Sequence, residues 1–151
     1  MKYTVESKGL DETAELAAQF ASRFRGGEVI ELSGDLGTGK TAFVRSMMDT
    51  LGTEDEVSSP SFTIENIYRT DHFDVHHYDF HRLDEPGIMT PEMREVLASD
   101  NLVILEWAGL VETELPEQRV RIETAYAADE HVRVYTFYIP KDMEYLDVFA
   151  N

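Results

Sequence analysis

The spacing of apolar and polar residues changes period several times along the chain and divides it into elements. Residues 1–7 alternate weakly and predict a first strand. Asp11 offers an N-cap, after which Leu16, Ala17, Phe20, Ala21 and Phe24 recur at helical spacing until Gly26-Gly27 stops the helix. Residues 28–33 form a short strand, and helical periodicity returns over 42–51, ended by Gly52. A Ser/Pro loop spans 57–62. Two extended runs, 63–69 and 72–80, then flank a tight Thr70-Asp71 turn and predict a hairpin. Thr90 caps and Pro91 opens a helix to about Ser99. Residues 102–105 are continuously apolar, as in a strand buried on both faces. Runs 118–126 and 132–139 alternate around the polar turn 127–130 and predict a second hairpin.

Strands interleaved with helices point to an α/β protein of three layers, and the two hairpins make its central sheet mixed. No repeat, low-complexity tract or linker interrupts the pattern, so residues 1–151 are expected to form a single domain, which 151 residues are enough to furnish with a core.

Between the second strand and the second helix lies Gly34-Asp35-Leu36-Gly37-Thr38-Gly39-Lys40-Thr41. Glycines allow a tight turn that aims consecutive N–H groups at phosphate oxygens, and the helix that follows adds the partial positive charge of its N-terminus. A lysine here reaches the β- and γ-phosphates and a threonine offers its hydroxyl to Mg²⁺. The pattern therefore identifies a P-loop NTPase fold binding a metal-complexed nucleoside triphosphate, with Leu36, Gly37, Thr38, Gly39, Lys40 and Thr41 as nucleotide contacts. Only four lysines occur, and Lys2, Lys8 and Lys141 lie near the ends. Asp35 is expected to point away from the phosphates. The nucleotide is expected at the carboxyl ends of the central strands.

Charge limits the partners. Thirty acidic against 13 basic residues give a formal net charge of −17, which repels a nucleic-acid backbone, so independent binding to one is not expected. The absence of cysteine excludes disulfides and thiolate metal sites and suits a reducing compartment. No apolar signal core or run approaching the ~20 residues of a membrane span is present, so a soluble cytoplasmic protein is expected, with no membrane partner.

Nucleotide hydrolysis also needs an acid near the metal and a group that orients water. Asp79, near the end of the strand over 72–80, and Glu106, just past 102–105, are the candidates for both roles. Their spacing does not distribute the roles, and either also reads as a strand-end surface acid. Trp107, the only tryptophan, lies beside the nucleotide, on a partner surface or in the core. His72, Asp74 and His76 share one strand face and His77, Asp79 and His81 the other. Positions at i, i+2 and i+4 on one strand converge poorly on one ion, which leaves the histidines as polar strand residues.

Four ordered blocks covering most of the chain resemble the TsaE (YjeE) family, the ATPase component of bacterial tRNA threonylcarbamoyladenosine biosynthesis. They are the phosphate loop with Phe43-Val44-Arg45, Ser59-Pro60-Ser61-Phe62-Thr63-Ile64, His77-Tyr78-Asp79-Phe80-His81-Arg82-Leu83, and Leu105-Glu106-Trp107 with Leu115-Pro116. The resemblance implies weak ATP hydrolysis with Mg²⁺, alongside TsaB and TsaD type partners that install threonylcarbamoyl on the adenosine next to the tRNA anticodon. It also implies catalytic roles for Lys40, Asp79 and Glu106, a metal shell of Thr41, Glu106 and Asp79, and a γ-phosphate-sensing segment with Ser61 and Thr63. Glu12 matches a region approaching the nucleotide, and His131 or Arg133 a basic position near the final turn. His81 stands where the family commonly has Tyr, and Ser61 where it often has Thr. A metabolite phosphotransferase, a GTP-dependent switch and a nucleotide-gated binding module use the same loop; an Arg-rich lid and a guanine-reading Asn-Lys-x-Asp motif are absent.

Overall fold

The computed structural model describes residues 1–35, 37–57, 65–80, 91–110 and 112–149. The expected Thr90 cap, most of the Ser/Pro loop, and Leu36, Ser61, Thr63 and His81 lie outside these residues.

One seven-stranded sheet runs in the order β1-β7-β6-β2-β5-β4-β3. Its strands are β1 (Lys2–Ser7), β2 (Val29–Ser33), β3 (Glu65–Arg69), β4 (Asp74–Asp79), β5 (Leu102–Glu106), β6 (Val120–Tyr126) and β7 (Arg133–Tyr138). The central pairs β6·β2, β2·β5 and β5·β4 are parallel. The outer pairs β1·β7, β7·β6 and β4·β3 are antiparallel, so the two expected hairpins are present and the sheet is mixed. All five residues of β5 are buried, as its unbroken apolar run requires at the centre of a sheet covered on both faces.

Helices α1 (Leu10–Ala21) and α2 (Lys40–Leu51) cover one face. Leu16, Ala17, Phe20 and Ala21 of α1 meet Phe43, Val44, Met47 and Met48 of α2 above Ile30, Leu32, Leu102, Ile104, Val120 and Ile122. On the opposite face Val29, Tyr78, Val103 and Leu105 pack under Met93, Val96 and Leu97 of α3 (Pro91–Leu97). The alternation of β2 and β5 residues between these two clusters is the period-two rule of a strand seen from both sides. No described helix is long and apolar enough to cross a membrane.

Three local expectations need correction. Asp11 is not the cap of α1: Gly9 is, without a side-chain cap bond, and Asp11 lies inside the first turn. The Thr13 N–H bonds the Gly9 carbonyl at 3.1 Å and the Glu12 carboxylate accepts the Lys8 N–H at 2.8 Å, so the helix starts two residues earlier. Acidic Asp11 and Glu12 still complement the dipole there. Helix α2 begins at Lys40 rather than Ala42 because Gly39, left-handed at φ 107°, turns the chain directly into it. Residues Lys141–Leu146 form a 3₁₀ segment with no counterpart in the periodicity.

That last segment explains Glu28, a fully buried acid before β2. Its carboxylate accepts the N–H groups of Arg25 at 2.6 Å and Gly26 at 2.8 Å and the Tyr145 hydroxyl at 3.1 Å, while the Arg25 guanidinium lies 3.9 Å from the Tyr145 ring centre. Burial and the neighbouring Glu28 charge push the Tyr145 phenol up to about 12. Replacing a buried charged acceptor leaves several donors unmatched. Glu28→Ala is therefore expected to lower stability by about 3 kcal/mol and Tm by roughly 10 °C, with Glu28→Gln losing about half as much. Thermal and urea unfolding followed by circular dichroism checks this.

Candidate functional site

The site begins where β2 ends. Gly34 has φ 143°, and a Cβ there would stand 2.0 Å from the Thr124 Oγ1 and 2.5 Å from the Thr124 carbonyl oxygen, so only glycine fits between the loop and β6. At Gly39 an added Cβ would stand 2.7 Å from the Tyr135 hydroxyl of β7. The loop is held from beneath by hydroxyls. Thr38 Oγ1 lies 2.6 Å from the Asp35 carbonyl oxygen and 2.6 Å from Thr124 Oγ1, which lies 3.1 Å from the Ser33 carbonyl oxygen. Two hydroxyl protons serve these three contacts. Tyr126 donates its hydroxyl to the Gly37 carbonyl at 2.9 Å. Asp35 is exposed, and it is its backbone carbonyl that the loop uses.

Lys40 opens α2 and is nearly buried. Its Nζ donates to the Gly34 carbonyl at 2.5 Å and lies 4.7 Å from the centre of the Trp107 ring. An ammonium held by one carbonyl and an aromatic face is placed without a carboxylate to neutralise it at either contact. Thr41 follows in the first helical turn.

The parallel register of β4 and β5 sets Asp79 opposite Glu106. Asp79 is 7% and Glu106 2% exposed, and both lie on the α1/α2 side of the sheet, the side of the phosphate loop. The Phe80 N–H donates to the Glu106 carbonyl at 3.1 Å and fastens the two strand ends together. Beyond Glu106 the chain turns sharply: Trp107 has φ 55°, the one positive value at a described residue other than glycine, and is 42% exposed. The reading of the histidines as plain polar strand residues fails for His77. It is fully buried, with Nε2 2.6 Å from Glu106 Oε2 and Nδ1 3.2 Å from the Tyr68 hydroxyl of β3.

A cavity of about 320 Å³ adjoins the loop, between the first turn of α1, Gly37 and Gly39, and the turn joining β6 to β7. Leu10, Thr13, His131, Arg133 and Tyr135 are among its walls. Glu12 lies on the same turn of α1 with its carboxylate bent back to Lys8. Arg133 stacks its guanidinium 4.2 Å from the Tyr126 ring centre, and it also donates to the Glu130 carbonyl. Burial pushes the Tyr135 phenol up, opposed by a hydrogen bond from Thr13 and the charge of Arg133.

The structure thus brings Lys40 to Trp107 and sets Asp79 beside Glu106 on the sheet face that α2 covers, with Gly37, Thr38, Gly39 and Thr41 in the loop and first helical turn around Lys40. Tyr68, Thr124, Tyr126 and Tyr135 join them without having been singled out, and so does His77, which the sequence named as a polar strand residue. His77 alone carried a local signal, as a histidine two residues before Asp79 on the same strand face.

Residues 7–134 match the family model described as TsaE, threonylcarbamoyl adenosine biosynthesis protein. The tRNA threonylcarbamoyladenosine biosynthesis protein TsaE of Bacillus subtilis is 34% identical over 134 residues, covering 89% of this chain and 82% of that one. The protein of that name from Rickettsia bellii is 31% identical over 121 residues, covering 80% and 84%. The crystal structure of Bacillus subtilis YdiB superposes with a TM-score of 0.82 at 28% identity, over 97% of this chain and 91% of that chain.

Because Thr124 leaves no room, Gly34→Ala is expected to cost at least about 2 kcal/mol through strain and overpacking. Nucleotide binding should fall with it, because the loop can relieve the clash only by moving off β6. Unfolding and nucleotide titration of the purified variant check both.

Proposed function

The chain belongs to the TsaE family, and on that premise we propose that it binds and weakly hydrolyses ATP in tRNA threonylcarbamoyladenosine biosynthesis. In this reading it serves TsaB and TsaD type proteins, which install N6-threonylcarbamoyl on the adenosine next to the tRNA anticodon, and it meets tRNA only through them. The observation that carries it is the placing of Lys40, at the start of a helix behind a glycine loop and 4.7 Å from the ring of Trp107, on the sheet face that also carries two buried carboxylates paired in register.

The donors suit the metal. Thr41, Asp79 and Glu106 offer hard oxygens, and among the described residues no three His, Asp or Glu side chains form a cage. Mg²⁺ is held by one or two carboxylates together with phosphates and water, which is what this set provides. When bound it neutralises charge on the β- and γ-phosphates.

In the proposed reaction Lys40 exchanges the Gly34 carbonyl and the Trp107 ring for phosphate oxygens. The loop N–H groups and the α2 N-terminus bind the remaining phosphate charge. Glu106 belongs to the metal shell, while Asp79 orients the attacking water and accepts its proton as the water oxygen bonds to the γ-phosphorus and the bond to the ADP oxygen breaks. Ser61 is the proposed γ-phosphate contact. The cavity beside Leu10 and Thr13 has the volume and the largely apolar walls of a nucleobase site. Exposed Leu10, Trp107 and Tyr126 ring the mouth, the kind of apolar surface a partner protein covers.

Asp79→Ala and Glu106→Ala are expected to keep metal-free ATP binding within a few fold and to lose hydrolysis by about 10²-fold or more, whereas Lys40→Ala loses binding itself. Isothermal titration with a phosphate-release assay checks this; unchanged turnover in both acid variants removes their assignment. Since Trp107 is the only tryptophan and touches Lys40, Mg-ATP should change its emission in the wild type and not in Lys40→Ala. For the pathway, the check is co-purification with TsaB and TsaD with and without ATP. No association in either condition defeats that role and leaves the nucleotide site intact.

A further inference from the structure

We infer that His77, backed by Tyr68, is a positioning residue that holds the Glu106 carboxylate in one orientation for a divalent cation. The inference rests on the reading of Glu106 as a metal acid and adds residues to it that nothing above assigns.

A glutamate at a strand end turns freely about its side-chain bonds, and a ligand that must stop turning pays in entropy. Here the carboxylate is already fixed. His77 pairs with Ile104 in the sheet, not with Glu106, so its ring reaches diagonally from one pair deeper and meets Oε2 at 2.6 Å. Among the described residues only Oε2 is engaged, which makes Oε1 the oxygen presented to the site. An ionised carboxylate only accepts, so Nε2 must carry the hydrogen. In the neutral ring Nδ1 is then a lone pair, and the Tyr68 hydroxyl 3.2 Å away donates to it. Tyr68 is 2% exposed and stands on the neighbouring strand with its ring centre 5.9 Å from that of His77, and a flip of the buried imidazole would put carbon where both hydrogen bonds now are. Three buried polar groups in a row, ending on the acid of the site, cost more than an apolar core unless their order is used. Partners behind a metal ligand commonly set its affinity by 10–100-fold.

The test uses the full chain and four proteins: wild type, His77→Leu, His77→Gln and Tyr68→Phe. ATP binding is titrated in EDTA and again across a Mg²⁺ series, and the imidazole ¹⁵N shifts of the ligand-free wild type are recorded. Expected are EDTA affinities within about two-fold of one another, and a half-saturating Mg²⁺ concentration raised by roughly 10–100-fold in His77→Leu. Tyr68→Phe should raise it a few fold. His77→Gln, which keeps a donor near the Nε2 position, should restore most of the loss. The ring should be the Nε2–H tautomer. Unchanged Mg²⁺ dependence in His77→Leu, or an Nδ1–H tautomer, overturns the inference. If His77→Leu does not fold, wild-type Mg²⁺ dependence in Tyr68→Phe together with no recovery in His77→Gln overturns it equally. A wild type whose ATP binding ignores Mg²⁺ is a different failure: it defeats the metal site, and the purpose of the relay with it.

Discussion

The register of the parallel strands β4, β5 and β2 is the constraint on which the site depends. Asp79 pairs with Glu106, Glu106 with Leu32, and Leu32 with Ile122 of β6, so one row crosses the sheet at the carboxyl ends of β4, β5 and β2 and runs on into the first half of β6. Two residues beyond Leu32 the phosphate loop begins at Gly34. A slip of one residue in β5 would turn Glu106 to the α3 face and bring Leu105 under the loop. That slip would also break the His77–Glu106 bond and bury the carboxylate in the apolar cluster around Val29, which opposes it. The cost of misplacing a buried charge thereby helps fix where the acids point.

A second layer of control comes from β6 and β7. Their side chains reach the loop as hydroxyls: Thr124 beneath Thr38 and Ser33, Tyr126 on the Gly37 carbonyl, and Tyr135 against Gly39. These groups touch the backbone of the glycine loop and leave the side chains of Lys40 and Thr41 unengaged by the hairpin. The antiparallel hairpin is in this sense a support for the loop that leaves the strand next to it.

Much of this was legible in the chain. The glycine loop, the strand before it and the helix after it announce themselves between Val29 and Leu51, and the apolar run of β5 declares its burial on both faces. The candidates Asp79 and Glu106 were visible as strand-end acids. What was hidden depends on partners far apart: Thr38 and Thr124 are separated by 86 positions, His77 and Glu106 by 29, and Glu28 and Tyr145 by 117. Periodicity reports which face a residue takes and says nothing about which residue waits there. The same limit explains the start of α1, where a carboxylate at Glu12 and the backbone of Gly9 did the work that a polar side chain at Asp11 was expected to do.

The support of the phosphate loop by Thr124, Tyr126 and Tyr135 has a consequence for biosynthesis. Translation delivers the glycine loop long before the hairpin that braces it, and β1 then needs β7 as its antiparallel neighbour. At roughly 5–20 residues per second, the interval between the loop and the hairpin lasts several seconds. A nascent chain in that interval carries the whole motif and none of its brace. The shape of the loop is thus completed only after β6 and β7 have been made, and a product lacking that hairpin would carry the motif without its brace.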